Sequence, residues 1–204
     1  MKSLLISGMV LGLSAGLSPG PMLTLVVAQT LRHGIREGAK VALAPLLTDT
    51  PIVIACLLFL SVFSNMEPAL GVISVFGGLY LFYLGMHSMR FKAVDSQENV
   101  DPNSLKKGLV VNFLNPSPYL FWTSIGGPLV LKASSTSLVA AAAFVLPFYV
   151  MLVGSKIVVA IVSGRSRNLM ESRHYTVIVK ILGLVLMGFG VLFLRDGFNY
   201  LFAF

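Results

Sequence analysis

The sequence predicts an all-α integral membrane protein of six transmembrane helices, arranged as two inverted three-helix repeats with broken first and fourth helices. Three observations lead there: the composition, the distribution of positive charge, and a proline motif that occurs twice. Of 204 residues, 56% are hydrophobic and 11% charged, and the mean hydropathy is +0.87, which suits a lipid solvent rather than water. A span needs about 20 apolar residues to cross a hydrocarbon core of roughly 30 Å, so six spans take about 120 residues and leave no useful soluble domain. In a soluble chain the 15 Lys+Arg against 8 Asp+Glu would suggest nucleic acid. Here the basic residues sit in short loops between apolar runs, where they report orientation and imply no nucleic-acid partner. The single cysteine, Cys56, excludes an intramolecular disulfide, a paired-thiol redox carrier and a multi-cysteine metal site. No cofactor is called for.

Apolar runs bounded by charge place the spans near Leu4–Leu31, Val41–Phe63, Ala69–Met89, Gly108–Leu131, Ser137–Ser163 and Val177–Leu194. The first run continues past Ser14-Ala15-Gly16, so it reads as a retained span rather than a cleaved signal peptide. Six crossings put Lys2, Lys132 and Arg195 on one side. On the other lie Arg32, Arg36, Lys40, Arg90, Lys92, Lys106, Lys107, Arg165, Arg167 and Arg173, a count of 3 against 10. The positive-inside rule makes the second side cytoplasmic, with both termini outside the cell membrane. Residues 91–107, with Asp95, Glu98, Asp101 and Pro102, form the one long polar connection. It reads as a cytoplasmic linker between a first repeat, 1–90, and a second, 108–204.

An offset of 97 residues lays Leu17-Ser18-Pro19-Gly20-Pro21-Met22-Leu23 on Leu114-Asn115-Pro116-Ser117-Pro118-Tyr119-Leu120, with both leucines and both prolines matching. Each half has an odd number of spans, so the second copy must be inverted, as in many secondary transporters. Proline lacks the N–H that the helix ladder needs, and its ring clashes with the preceding turn, so Pro19, Pro21, Pro116 and Pro118 should break their spans. Unwound backbone at membrane depth must be buried in protein or line a water-filled cavity. Half-helices beginning near Met22 and Tyr119 would present free N–H groups and positive dipole ends to such a cavity, where an anionic group could be held. Two kinked structural spans without a ligand are the bland alternative.

The run GLSPGPMLTLVVAQTLRHGIREGAKVALAPLLTDTP in the first half resembles the lysine-exporter (LysE/RhtB-type) translocator family, marked by PGP in the first span and an Asp in the second. KKGLVVNFLNPSPYLFW, with an Asn-Pro opening the fourth span, and GGLYLFYLG in the third extend the resemblance over nearly the whole chain. It implies an exporter of amino acids or other small solutes run on an ion gradient. One departure is Thr48, where the family often has Gly before the second-span Asp; Ala42, Ala44 and Pro45 also replace expected glycines.

Asp49 is the leading candidate for function. A mid-span carboxylate costs about 2.5–3.5 kcal/mol on insertion scales, so it needs a partner, water or a neutralising proton. It could exchange that proton during a cycle, with Thr48 and Thr50 beside it; a structural Asp locked to a cation is the alternative. Lys156, at similar depth in the fifth span, could pair with Asp49 across the halves or snorkel to the interface. Asn112, Asn115, Thr123, Ser124, Thr24 and Gln29 offer hydrogen bonds in a cavity or between helices. Tyr119 and Trp122 either pack around the second break or wall the cavity. His33, His87 and His174 lack carboxylates at ligand spacing and form no metal site, and no Walker-type motif or nucleophile elbow is present.

The substrate and ion pathway expected from these residues comprises Ser18, Pro19, Gly20, Pro21, Thr48, Asp49, Asn115, Pro116, Pro118, Tyr119, Trp122 and Lys156. The expected activity is secondary active export of a small solute, an amino acid or related metabolite, coupled to protons through Asp49. A divalent-cation exporter of similar architecture is one alternative; an intramembrane enzyme or a passive scaffold is another. The partners are a small-molecule substrate and the lipid bilayer, and the sequence leaves homo-oligomerisation open.

Overall fold

A computed structural model describes residues 1–62, 67–89, 102–165 and 173–202. These residues are helical almost throughout: α1 (Lys2–Leu17), α2 (Pro21–His33), α3 (Ile35–Val62), α4 (Glu67–Met89), α5 (Ser104–Phe113), α6 (Pro116–Phe121), a π-helical turn (Trp122–Gly126), α7 (Gly127–Ser134), α8 (Leu138–Arg165) and α9 (Arg173–Phe202). The expected linker lies largely outside the described residues. Its last four positions, 104–107, already belong to α5, because Asn103 takes a left-handed conformation (φ 48°) that starts the helix there.

Stretches Ile35–Cys56, Leu138–Arg165 and Lys180–Phe202 are each long and apolar enough to cross a membrane, and α1 with α2, bent by 61°, is long and apolar enough only when the pair is taken as one broken span rather than a re-entrant loop. The apolar part of α4, Gly71–Met86, is shorter than a straight crossing. The region expected as a fourth span is divided into α5, α6, the π turn and α7, none of which could cross alone.

The breaks follow from proline. Carbonyls of Ala15 and Leu17 would accept from residues 19 and 21, both of which are prolines without an N–H. Helix α1 therefore stops at Leu17, Ser18 turns extended (φ −56°, ψ 126°), and α2 restarts with Pro21 as its first residue. In the second half Asn115 caps α6, its Oδ1 accepting from the Ser117 N–H at 3.0 Å, with Pro116 as first helical residue. That half-helix starts three residues before the expected Tyr119. Between α2 and α3 the chain turns at Gly34, whose φ of 99° suits glycine.

Two seams depend on small residues. On α1, a Cβ at Gly8 or Gly12 would overlap the carbonyl oxygens of Phe144 and Phe148 on α8. Helices α4 and α9 meet antiparallel through glycines seven residues apart, Gly71, Gly78 and Gly85 against Gly197, Gly190 and Gly183. A Cβ on Gly78 would come within 2.7 Å of the Gly190 oxygen, and one on Gly190 within 2.8 Å of the Gly78 oxygen. Such seams let backbones approach closely in a membrane, where dispersion and weak polar contacts replace the hydrophobic drive. Gly77 sits against the carbonyl oxygen of Leu114, so α4 also packs on the second break.

Candidate functional site

The two breaks face one cavity of about 280 Å³. Ser18, Pro19, Gly20 and Pro21 line it from the first half, and Asn115, Ser117 and Pro118 from the second. Asp49 and Pro45 of α3, Lys156 of α8 and Asn112 of α5 complete its polar part, while Trp122, Phe121 and Phe148 form an aromatic wall.

Asp49 is 4% exposed. The Asn112 amide nitrogen donates to Asp49 Oδ1 at 2.8 Å and to Thr48 Oγ1 at 2.6 Å. Thr48, fully buried, donates its hydroxyl hydrogen to the Ala44 carbonyl at 3.1 Å. The residue at which this chain departs from the expected glycine thus joins the acid's neighbour in a network. Tyr149 and Trp122 also donate to the carboxylate, and the opposite charge that acts on it is Lys156 on the same cavity, beyond ion-pairing distance.

Of the two readings open for Lys156, snorkelling is not seen, the residue being 4% exposed. Its charge acts on Asp49, but no direct ion pair joins the two among the described residues, where the pair found is Lys40–Glu37. Its ammonium donates to the carbonyls of Gly16 at 2.9 Å and Ala15 at 3.3 Å. Those carbonyls are open because Pro19 has no N–H to give Ala15, and the helix ends before Gly20 can serve Gly16. A cation at a helix C-terminus also meets the negative end of its dipole. The lysine therefore caps the first break from a helix 140 residues away in sequence.

Three expected pathway residues stand behind the cavity rather than on its surface. Thr48 backs Asp49, and Pro116 is buried at the start of α6. Tyr119 braces the break: its hydroxyl donates to the Phe113 carbonyl at 2.9 Å, while its own carbonyl accepts from Thr123 Oγ1 at 2.7 Å. Trp122 is 2% exposed and packs edge-on to Phe121 and Phe148, at ring separations of 5.3 and 5.6 Å. Gln29, by contrast, serves as a tie between helices, accepting from Ser104 Oγ at 3.0 Å. Sequence reasoning missed the walls built by Phe148, Leu152, Phe189 and Phe193; nothing sets these apart from lipid-facing residues in an apolar run.

The order of these features along the chain agrees with a family model: that of the LysE type translocator matches residues 13–197. The chain belongs to the LysE type translocator family. No curated protein and no solved structure is significantly similar to it. The family is one of transporters and not of enzymes, and with its apolar helices the translocator is a multi-pass membrane protein.

Proposed function

We propose that this translocator is a secondary active transporter that exports a small solute, an amino acid or related metabolite, with proton coupling through Asp49. The observation that carries the proposal is a buried carboxylate with no direct ion pair among the described residues, facing a cavity bounded by both broken helices. Such a group is expensive when charged and can be neutralised by a proton, which is the requirement for a coupling acid. Solute and proton would be exposed alternately to the two sides as the halves rock about the cavity.

This reading takes the chain as six spans in the cytoplasmic membrane, two inverted repeats with both termini outside. The α4–α9 seam supports it. An axis through the Gly78–Gly190 contact that exchanges the helices carries Gly71 onto Gly183 and Gly85 onto Gly197, and converts the Gly71–Gly197 contact into the Gly85–Gly183 contact. This is the self-complementary pattern of a two-fold interface. The divalent-cation alternative gains nothing, since no three His, Cys, Asp or Glu side chains converge among the described residues.

Asp49→Asn tests the coupling. It keeps the size and an oxygen for Asn112 but removes the titrating charge. In proteoliposomes carrying a pH gradient, the variant should fold and lose gradient-driven transport of radiolabelled L-amino acids. Full transport by Asp49→Asn sinks the coupling role.

A further inference from the structure

The cavity holds one acidic and one basic side chain, Asp49 and Lys156, whose charges act on each other although no direct ion pair joins them among the described residues. Lys156 has three N–H donors, of which two go to the Gly16 and Ala15 carbonyls. Among the described residues no acceptor is found for the third, and no carboxylate lies at ion-pairing distance. A buried ammonium whose direct bonds are all to carbonyl dipoles, with its opposite charge beyond contact, can still take an anion as a direct partner.

The two half-helices that open on the cavity differ in a way that points to where such an anion would sit. Helix α6 is capped by its own Asn115 side chain. Helix α2 is preceded by Gly20, which has no side chain to cap with, and its first internal bond runs from the Thr24 N–H to the Gly20 oxygen at 3.0 Å. The amides of Met22 and Leu23 precede that bond, and both residues line the cavity with Lys156. One break is closed by its own side chain and the other is left with a positive end beside a cation that has no direct ion pair among the described residues.

We propose that Lys156 is a specificity-determining residue that receives a carboxylate of the substrate, assisted by the open N-terminus of α2. This rests on the transport reading above and deepens it, because it divides recognition between two poles, the carboxylate at Lys156 and a cationic group at Asp49. Lys156 also ties α8 to the end of α1. A carboxylate competing for the ammonium loosens that tie, so occupancy of the site bears directly on the α1–α8 contact.

The test uses the full-length protein in proteoliposomes and in detergent, with L-amino acids as probes, each paired with its carboxamide. The amide keeps the ammonium and side chain and removes only the negative charge. Wild type should prefer acid over amide by at least about tenfold, in transport and in ligand-induced thermal shift, as expected of a charge-assisted hydrogen bond in a closed site. Lys156→Gln retains a donor for the α1 carbonyls, so it should fold, and its acid-to-amide ratio should fall to about one. Lys156→Arg should keep most of the preference.

An unchanged ratio in Lys156→Gln overturns the proposal and leaves Lys156 as a cap of α1 only, with the transport reading intact. Equal binding of acid and amide by wild type overturns it as well. If wild type neither binds nor moves any of the amino acids, the transport reading fails and the proposal falls with it.

Discussion

Removal of the Asn112 amide would leave two buried oxygens, Thr48 Oγ1 and Asp49 Oδ1, without their shared donor. An unmet polar group in a buried site costs about 1–3 kcal/mol. Asn112→Ala should therefore destabilise the detergent-solubilised protein by up to about that amount even in the absence of substrate, seen as a lower unfolding midpoint. An unchanged midpoint would mean that neither oxygen relies on the amide. At this scale Asp49 was legible, because an acid in an apolar run is conspicuous wherever the chain goes. Its donor was only one of several candidate polar residues, since Asn112 lies 63 residues away and only folding brings the two together. Lys156 was legible only in part for the same reason: its charge does act on Asp49, but its hydrogen-bond partners are main-chain carbonyls, which no residue letter announces.

Among the helices, stability should depend on which glycines are enclosed. Gly12→Ala would drive a methyl into the Phe148 carbonyl, whereas Gly154→Ala meets nothing within 4 Å. Overpacking of this kind costs typically about 1–3 kcal/mol, while alanine for glycine in an open helix position gains up to about 1 kcal/mol. Reversible unfolding of the two variants in mixed micelles should move in opposite directions, and equal shifts would contradict the α1–α8 seam described above. The proline breaks could be read in the sequence because proline acts on its own helix through a missing N–H. The π turn at Trp122–Gly126 could not; it depends on how the Trp122 and Phe121 rings pack around Gly126 and against α8. The seven-residue glycine spacing of α4 and α9 was present in the letters, but its meaning emerges only when the two helices are laid antiparallel.

For the whole molecule, the proposed orientation in the membrane rests on the charge count of 3 against 10. Ser135, exposed between α7 and α8, falls on the outer side by this reading, and Arg36, exposed at the start of α3, on the inner. A cysteine at 135 should react with a membrane-impermeant maleimide in intact cells, and one at 36 only after permeabilisation. The native Cys56 is buried and gives little background. The opposite labelling would invert the molecule and turn the expected export direction with it.

The α4–α9 seam also bears on how the protein is made. Helix α4 is made while most of the second half is still untranslated, and its glycine face has no matching surface until α9 leaves the ribosome. Closure of that seam thus waits on α9, and a chain stopped anywhere before it carries an unfilled groove that lipid tails fit poorly. A nonsense mutation just ahead of α9 should accordingly be as damaging as one far upstream, because α9 covers a face of the first half.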